Sequence, residues 1–445
     1  MKETRSEEEL SAVPARAAKR EREVQPRWAW TEPSVWTERM LDALERGVKG
    51  GRWYSLIDKV WANETLSAAW KHVRRNQGSA GVDGVTIPYF ERHLEDHLRG
   101  LHEELLSGAY KPEAIRRVEI PKPGSRETRP LGIPVIRDRI VQTALRSVIE
   151  PIFEADFVAC SYGFRPKRST KDALRRVQGL LDEGGRWVVD VDIERYFDTI
   201  PHALLMTEIE KKIADRRVLG LIERYLKQDV LLTTKSYAAI EEGTPQGAVI
   251  SPLLANIYLH RVDVAMEQAG YGYVRYADDC VIVCQTREEA ESALHLIGEQ
   301  IAGLKLRLHP EKTKLIDVTA PGGFDFLGYH FELGRRYPRK KSMRKLKDTV
   351  RQKTRRTNGH SLSQIIDILN PVLRGWFEYF KHSRRLTFKI VDGWVRRRLR
   401  SILRRHRGTH GIANGADNRR WPNAYFRQMG LFTMIEAHRQ LIQSR

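Results

Sequence analysis

Two adjacent aspartates, Asp278 and Asp279, interrupt the apolar stretch "YVRYADDCVIVC" that runs from Tyr273 to Cys284. The two halves read as short strands, with the aspartates at the joint. An aspartate in a turn is commonplace, because its carboxylate bonds nearby backbone N–H groups. Between strands of buried type, however, two unpaired carboxylates are costly. A divalent cation compensates them, and a hard ion such as Mg²⁺ takes oxygen ligands while keeping water and phosphate in its shell. A second acidic strand strengthens this reading. In "VVDVDIERYFDTI", Asp190 and Asp192 alternate with valines, so both point to one face. One strand-end carboxylate plus two at a hairpin suits two-metal phosphoryl transfer. In that chemistry one ion activates an attacking 3′-hydroxyl and the other holds the triphosphate and the leaving pyrophosphate.

The elements that must hold these residues follow from periodicity. Residues 1–50 are charged and Ala-rich with little sustained pattern, and predict a mobile or loosely helical extension. From about residue 54 to 115, "LSAAWKHVRR" and "YFERHLEDHLRGLHEELLSGAY" carry apolar residues at helical intervals, separated by the Gly-rich loop "NQGSAGVDGVTI". "IRRVEIPKPGSRETRPLGIP" predicts a hairpin turning at "PKPGSRE", and a helix follows through "DRIVQTALRSVIEPIFE". "RWVVDVDIERYFDTI" begins as a strand, and "GTPQGAVISPLLANIYLHRVDVAM" is a loop entering a long helix. After the aspartate hairpin come the helix "REEAESALHLIGEQIAGL" and the segments "KLRLHPEKTKLIDV" and "GFDFLGYHFEL". From about Lys340 the pattern is basic and helical. Irregular alternation without repeats predicts an α+β core followed by a helical appendage.

The 445 residues carry a formal net charge of +20, and it is unevenly placed. Residues 331–445 hold 29 Lys+Arg against 7 Asp+Glu, a net of +22, which leaves −2 for residues 1–330. Runs such as "RKLKDTVRQKTRR" point to a polyanionic partner. Three cysteines, Cys160, Cys280 and Cys284, form no paired knuckles, which argues against a zinc site or a disulfide scaffold. The N-terminus has no apolar signal region, and no stretch of about 18 apolar residues exists to span a membrane. The expectation is an intracellular protein.

These blocks together resemble the multifunctional reverse transcriptase–maturase of bacterial group II introns. "YADD" looks like that family's signature tetrapeptide. "GSAGVDGVTI", "IPKPGSRETRPLGIP", "SYGFRPKRST", "DVDIERYFDTI", "GTPQGAVISPLLANIYL", "YVRYADDCVIV", "LHPEKTKLI" and "FDFLGYHF" stand in the family's order. "ILNPVLRGWFEYFKHS" resembles its thumb, or maturase, segment. The resemblance implies a right-hand polymerase. It divides the chain into an extension over 1–53, fingers and palm over 54–335, and a basic helical thumb/maturase domain over 336–445. It further implies RNA-directed DNA synthesis, two Mg²⁺ ions, dNTPs, an RNA template and a DNA primer or target. A group II intron RNA would be bound to promote splicing, in the bacterial cytoplasm within a ribonucleoprotein at the chromosome, with a homodimer as a candidate assembly.

Residue roles carry over from the resemblance. Asp192, Asp278 and Asp279 look like the catalytic metal triad. Asp192 is preferred to Asp190 because the family's aromatic sugar gate lies five positions on, where this chain has Phe197. Lys122 and Arg129 match the pair on the incoming triphosphate, and Gln246, followed by Gly247, matches the residue lining the dNTP pocket. Arg165 and Lys167 are placed on the template backbone, with a salt bridge within the fingers as the alternative. Phe326, Leu327 and Gly328 resemble the primer-supporting hairpin, and Lys312 is a candidate proton donor to pyrophosphate. His309 has no companion at ligand spacing and is expected to cap or pack. Trp376, Phe377 and Phe380 read as a helix core stripe, with base stacking as the alternative. In "VRRRLRSILRRHR", Val395, Leu399 and Leu403 mark an apolar face, and Arg396, Arg400 and Arg404 mark an RNA-binding one. The family often adds an HNH endonuclease with paired cysteines. No cysteine follows Cys284, so none is expected here. The rival readings are a retron-like or domesticated reverse transcriptase and a splicing factor with a decayed polymerase.

Overall fold

Valine- and isoleucine-rich runs form the strands and the 3.6-periodic runs form the helices. The structure, a computed structural model, describes residues 27–121, 128–232, 236–355, 359–408, 411 and 413–443. In chain order the strands are β1 (Ile115–Pro121), β2 (Thr128–Ile133), β3 (Trp187–Asp192), β4 (Val230–Leu231), β5 (Tyr237–Ala238) and β6 (Gly272–Tyr276). They continue as β7 (Asp279–Cys284), β8 (Lys314–Asp317), β9 (Phe324–Phe326), β10 (Tyr329–Glu332) and β11 (Arg335–Pro338).

The central sheet has the order β6-β7-β3-β8, antiparallel throughout. One face carries Val188, Val274, Val281 and Val283. It packs with Ala173, Leu174 and Val177 of helix Thr170–Asp182 and with Phe324, Phe326, Tyr329 and Phe331 of the β9-β10-β11 sheet. The other face carries Val189, Val191, Cys280 and Ile282. It joins the main core with helices Ser251–Gln268 and Arg287–Gly303. Burial on both faces is why these strands read as almost continuous apolar runs.

The expected hairpin of the fingers is present. β1 and β2 pair from Arg116 opposite Ile133 to Pro121 opposite Thr128, within a second sheet of order β2-β1-β4-β5. Its turn, with Lys122, lies outside the described residues. The helices Lys340–Lys353, Leu362–Phe380, Arg385–His406 and Met434–Gln443 build a core of their own from Leu346, Ile365, Leu369, Phe377, Phe388, Val395 and Leu399. Phe377 and Phe380 are buried, so the aromatic stripe is core rather than a stacking platform. The chain is thus α+β with a helical C-terminal region, as expected. Among the described residues no helix is long and apolar enough to cross a membrane.

The N-terminal expectation needs correction from Arg27 onward. Trp28, Val35, Trp36 and Leu41 are buried in the main core. Trp36 Nε1 donates to the Ser147 carbonyl at 2.9 Å, and Trp28 Nε1 donates to Glu45 at 2.8 Å. Indole rings bury large areas when their N–H finds an acceptor, and this outweighs the charged composition around them.

Candidate active site

β3 and β7 pair so that Asp192 stands opposite Asp279, and β6 and β7 pair so that Tyr276 also stands opposite Asp279. Directly opposed residues share a face of the sheet. Tyr276, Asp279 and Asp192 therefore form a row across three strand ends. Asp278 adjoins the row in the two-residue turn Ala277–Asp278. Burial, and then the charge of Asp278, push the Asp279 carboxyl up to about 6, although the residue is open to solvent on one side. Burial also raises Asp278. Asp190 lies one pleat inward, opposite Val281 and Lys314, and burial followed by the charges of Asp279 and Asp192 pushes it up to about 7. The preference for Asp192 over Asp190 agrees with this register, because Asp192 is the residue level with Asp279.

Lys312 Nζ sits 3.2 Å from Asp192 Oδ1, the ion pair nearest the row. His309 acts as a cap. Its backbone N–H donates to the Asp192 carbonyl at 2.8 Å, and its Nδ1 accepts from the Glu311 N–H at 3.3 Å.

The aspartate turn is strained and is held from beneath. Ala277 has φ 60°, at a position that such turns usually give to glycine. Its carbonyl accepts from Arg275 Nη1 at 2.9 Å. The same guanidinium reaches Asn256 Oδ1 at 2.9 Å, Ser161 Oγ at 2.8 Å and Asp263 Oδ1 at 2.6 Å. Arg275 is 1 % exposed and Asp263 is not exposed at all. The motif reading missed this support. The signal was an arginine inside an apolar strand, which must find buried partners.

Phe197 and the loop of Gln246 meet across one cavity of about 450 Å³, bounded by Phe197, Arg195, Pro130, Gly132, Thr244 and Gln246 among others. Phe197 is half-buried and packs edge-on against Tyr196. The Thr244 N–H donates to the Phe197 carbonyl at 2.7 Å, and the Gly132 N–H donates to the Gln246 carbonyl at 2.6 Å. Gly247 is required at this junction. Its φ is +112°, and a Cβ there would lie 2.3 Å from the Gly132 oxygen. Arg129 is exposed, but strand alternation turns it away from the face on which Pro130 and Gly132 line the cavity. Lys122 lies outside the described residues.

Several expected nucleic-acid contacts give way to structural roles. Arg165 is 6 % exposed, bound to Glu154 Oε1 at 2.7 Å and to the carbonyls of Ser161 and Phe157. It is the salt bridge of the alternative reading, because a guanidinium with all its donors engaged has none for template phosphate. Lys167 in the same loop is exposed. Phe326 is 3 % exposed and belongs to the core. The turn Leu327–Gly328 is the part that reaches the surface. It is clamped to the C-terminal helices by Tyr379 Oη on the Leu327 carbonyl at 2.7 Å and Ser342 Oγ on the Gly328 carbonyl at 3.0 Å. Arg400 is 5 % exposed and donates to the Trp421 carbonyl at 2.8 Å and Asn423 Oδ1 at 2.9 Å. Arg404 pairs with Asp417 at 2.8 Å. The expected arginine face is covered by the segment after residue 411; Arg396 and Arg400 border a cavity beside the exposed Arg397, and Arg404 does not. The exposed Lys and Arg residues of helix Arg385–His406 are Arg385, Lys389, Arg397 and Arg405.

The donor chemistry of the row fits a hard divalent cation. Its groups are carboxylates held in mutual repulsion, and Mg²⁺ is commonly bound by one or two carboxylates with water and substrate phosphates completing the shell. Among the described residues no three His, Cys, Asp or Glu side chains converge tightly enough to hold an ion on their own.

The chain is similar to known proteins along most of its length. The family described as reverse transcriptase (RNA-dependent DNA polymerase) matches residues 120–331, and the group II intron, maturase-specific domain matches residues 343–421. Protein YkfC of Escherichia coli K12 is 36% identical over 381 residues, covering 76% of this chain and 94% of that protein. The group II intron-encoded protein LtrA of Lactococcus lactis subsp. cremoris is 38% identical over 195 residues, 44% of this chain and 32% of LtrA. A putative COX1/OXI3 intron 1 protein of Saccharomyces cerevisiae is 26% identical over 411 residues, 79% of this chain and 48% of that protein. With a reverse transcriptase domain, a maturase-specific domain behind it and a relative matched over nearly its whole length, the chain belongs to the family of group II intron reverse transcriptase/maturases.

Proposed function

We propose that the protein extends a primer 3′ end with dNTPs on an RNA template, with two Mg²⁺ ions at Asp192, Asp278 and Asp279. It also binds its group II intron RNA to promote splicing and copies that RNA into DNA during retrohoming. The observation that carries the reading is the row Tyr276–Asp279–Asp192 beside the Asp278 turn. When bound, the ions would activate the 3′-hydroxyl and neutralise the triphosphate. The protein's own groups position the rest. Lys122 at the fingers hairpin binds triphosphate oxygens by charge-assisted hydrogen bonds, whereas Arg129, on the opposite face of β2 from the cavity, does not reach them from this position. Phe197 and Gln246 bound the sugar from two walls of one cavity. Lys312 neutralises Asp192 and carries a proton for the departing pyrophosphate. Residues 54–335 form fingers and palm, residues 336–445 form thumb and maturase domain, and the protein works in the bacterial cytoplasm, alone or as a homodimer. The test is primer extension on RNA, with and without Mg²⁺, beside a splicing assay on the intron. Splicing help without extension would leave the decayed-polymerase reading standing and overturn this one.

Phe197→Val should admit ribonucleotides. The discriminating quantity is the ratio of kcat/KM for rNTP to that for dNTP, which should rise on the order of tenfold or more. An unchanged ratio with activity retained removes Phe197 from the gate.

The basic helix Arg385–His406 gives a second test. Arg397→Gln with Arg405→Gln should weaken intron RNA binding and lower the steepness of its salt dependence by about 0.7–0.9 per lost phosphate contact, without lowering Tm. Arg400→Gln instead breaks buried hydrogen bonds and should cost about 1–3 kcal/mol of stability. Filter binding at several salt concentrations and thermal melts separate the two. A wild-type salt slope in the Arg397/Arg405 variant takes this helix out of the RNA interface.

A further inference from the structure

Phe164 is a large ring left 46 % exposed on a backbone with φ 58°. A bulky residue at positive φ is an outlier, and an exposed one gains little burial to offset the strain. Such a conformation persists only where its surroundings over-determine it. Here both flanks are pinned. On one side the Tyr162 N–H donates to the Arg275 carbonyl at 2.9 Å, and Asn256 Nδ2 donates to the Gly163 carbonyl at 2.8 Å. Gly163 lies so close to the aspartate turn that a Cβ would stand 2.3 Å from the Ala277 nitrogen. On the other side Arg165 is locked into its buried salt bridge with Glu154. The loop therefore presents the ring rigidly.

What it is presented to follows from the register. The Phe164 ring centroid lies 6.5 Å from that of Tyr276. Tyr276 shares its sheet face with Asp279 and Asp192, and β6 is an edge strand. The order along the row is Phe164, Tyr276, Asp279, Asp192. With strands about 4.8 Å apart, the ring stands roughly 11 Å from the Asp279 position and roughly 16 Å from that of Asp192. That is too far to touch the reacting phosphate. It is within reach of the last base pairs of a duplex whose 3′ end lies at those carboxylates.

We propose that Phe164 is a primer–template contact, its ring packing on the sugar–base edge of the terminal base pairs and holding the primer end level with Asp279 and Asp192. The contact is apolar and largely independent of sequence, since the sugar and the minor-groove edge offer much the same surface in every base pair. The inference rests on the polymerase reading above, and the experiment keeps the two apart.

Phe164→Gly removes the ring and suits the positive φ, so its Tm should equal or exceed that of wild type. Its kcat/KM for an RNA–DNA primer–template should fall on the order of tenfold, the usual loss of one base–aromatic contact. KM for dNTP should stay unchanged, because the ring is remote from the nucleotide cavity. Phe164→Leu, which keeps an apolar side chain and the strain, should fall between the two. An undiminished kcat/KM for primer–template in Phe164→Gly overturns the contact while leaving the polymerase intact. So does a loss that appears only in the KM for dNTP. A wild-type protein that extends no primer overturns the polymerase reading, and the contact with it.

Discussion

Replacing Asp278 by alanine is expected to abolish primer extension, by several orders of magnitude, in a protein that remains folded. On the proposed assignment the loss is large, because a carboxylate that binds a catalytic ion acts on the transition state and no neighbouring group replaces it. The fold survives because Asp278 occupies a turn rather than a packed strand position, so its removal opens no core cavity. It also removes a like charge from Asp279, whose carboxyl is pushed up to about 6 by burial first and by Asp278 second. Tm should therefore hold or rise slightly while activity disappears. Intron RNA binding, proposed to draw on the basic C-terminal domain, should be retained. Primer extension, thermal melting and filter binding on one preparation check all three expectations. Extension near the wild-type rate would remove Asp278 from the catalytic set.

The second large effect is expected at Arg275, whose guanidinium joins Asp263, Asn256, Ser161 and the Ala277 carbonyl beneath the aspartate turn. Arg275→Ala leaves the Asp263 carboxylate fully buried without its cation, a change that typically costs about 3–5 kcal/mol. Against a total stability of about 5–15 kcal/mol for a domain, that is a large fraction. Arg275→Lys keeps the charge but not the planar fork, and should recover only part of the loss. The double variant Arg275→Met, Asp263→Leu separates stability from positioning. Replacing both members of a buried pair by apolar side chains is often close to neutral, so denaturant unfolding should return toward wild type. Single-turnover extension should not, because the Ala277 carbonyl and Ser161 lose the donor that fixes the strained turn. Full recovery of activity together with stability would show that Arg275 is structural only.

Much of the site could be read along the chain because its logic is local. A carboxylate pair between two apolar half-strands needs only strand alternation and turn chemistry to be recognised. Asp190 and Asp192 declare their shared face by the same period of two. The α+β class and the basic helical C-terminal region followed from periodicity and charge, which are properties of neighbouring residues.

What failed were several inferences about whether a particular side chain meets water. Arg165, Arg400 and Arg404 carry the charge expected of nucleic-acid contacts, yet each is taken up by a carboxylate or carbonyl from another segment. Phe326 has the position of a primer support and the burial of a core residue. Trp28 and Trp36 lie in a charged stretch and still anchor it to the main core. Arg275 announced a buried partner by standing in an apolar strand, but its partners come from a helix and a loop that only the folded chain brings beneath it. The sequence by itself determined the kinds of groups and their order on each strand, because backbone geometry repeats over a few residues. Only the tertiary structure decided which carboxylates stand level, which arginines remain free and which ring is held out beside them. Those outcomes depend on contacts between segments far apart in the chain, and desolvation and pairing are settled by the packed surroundings rather than by the residue's own type.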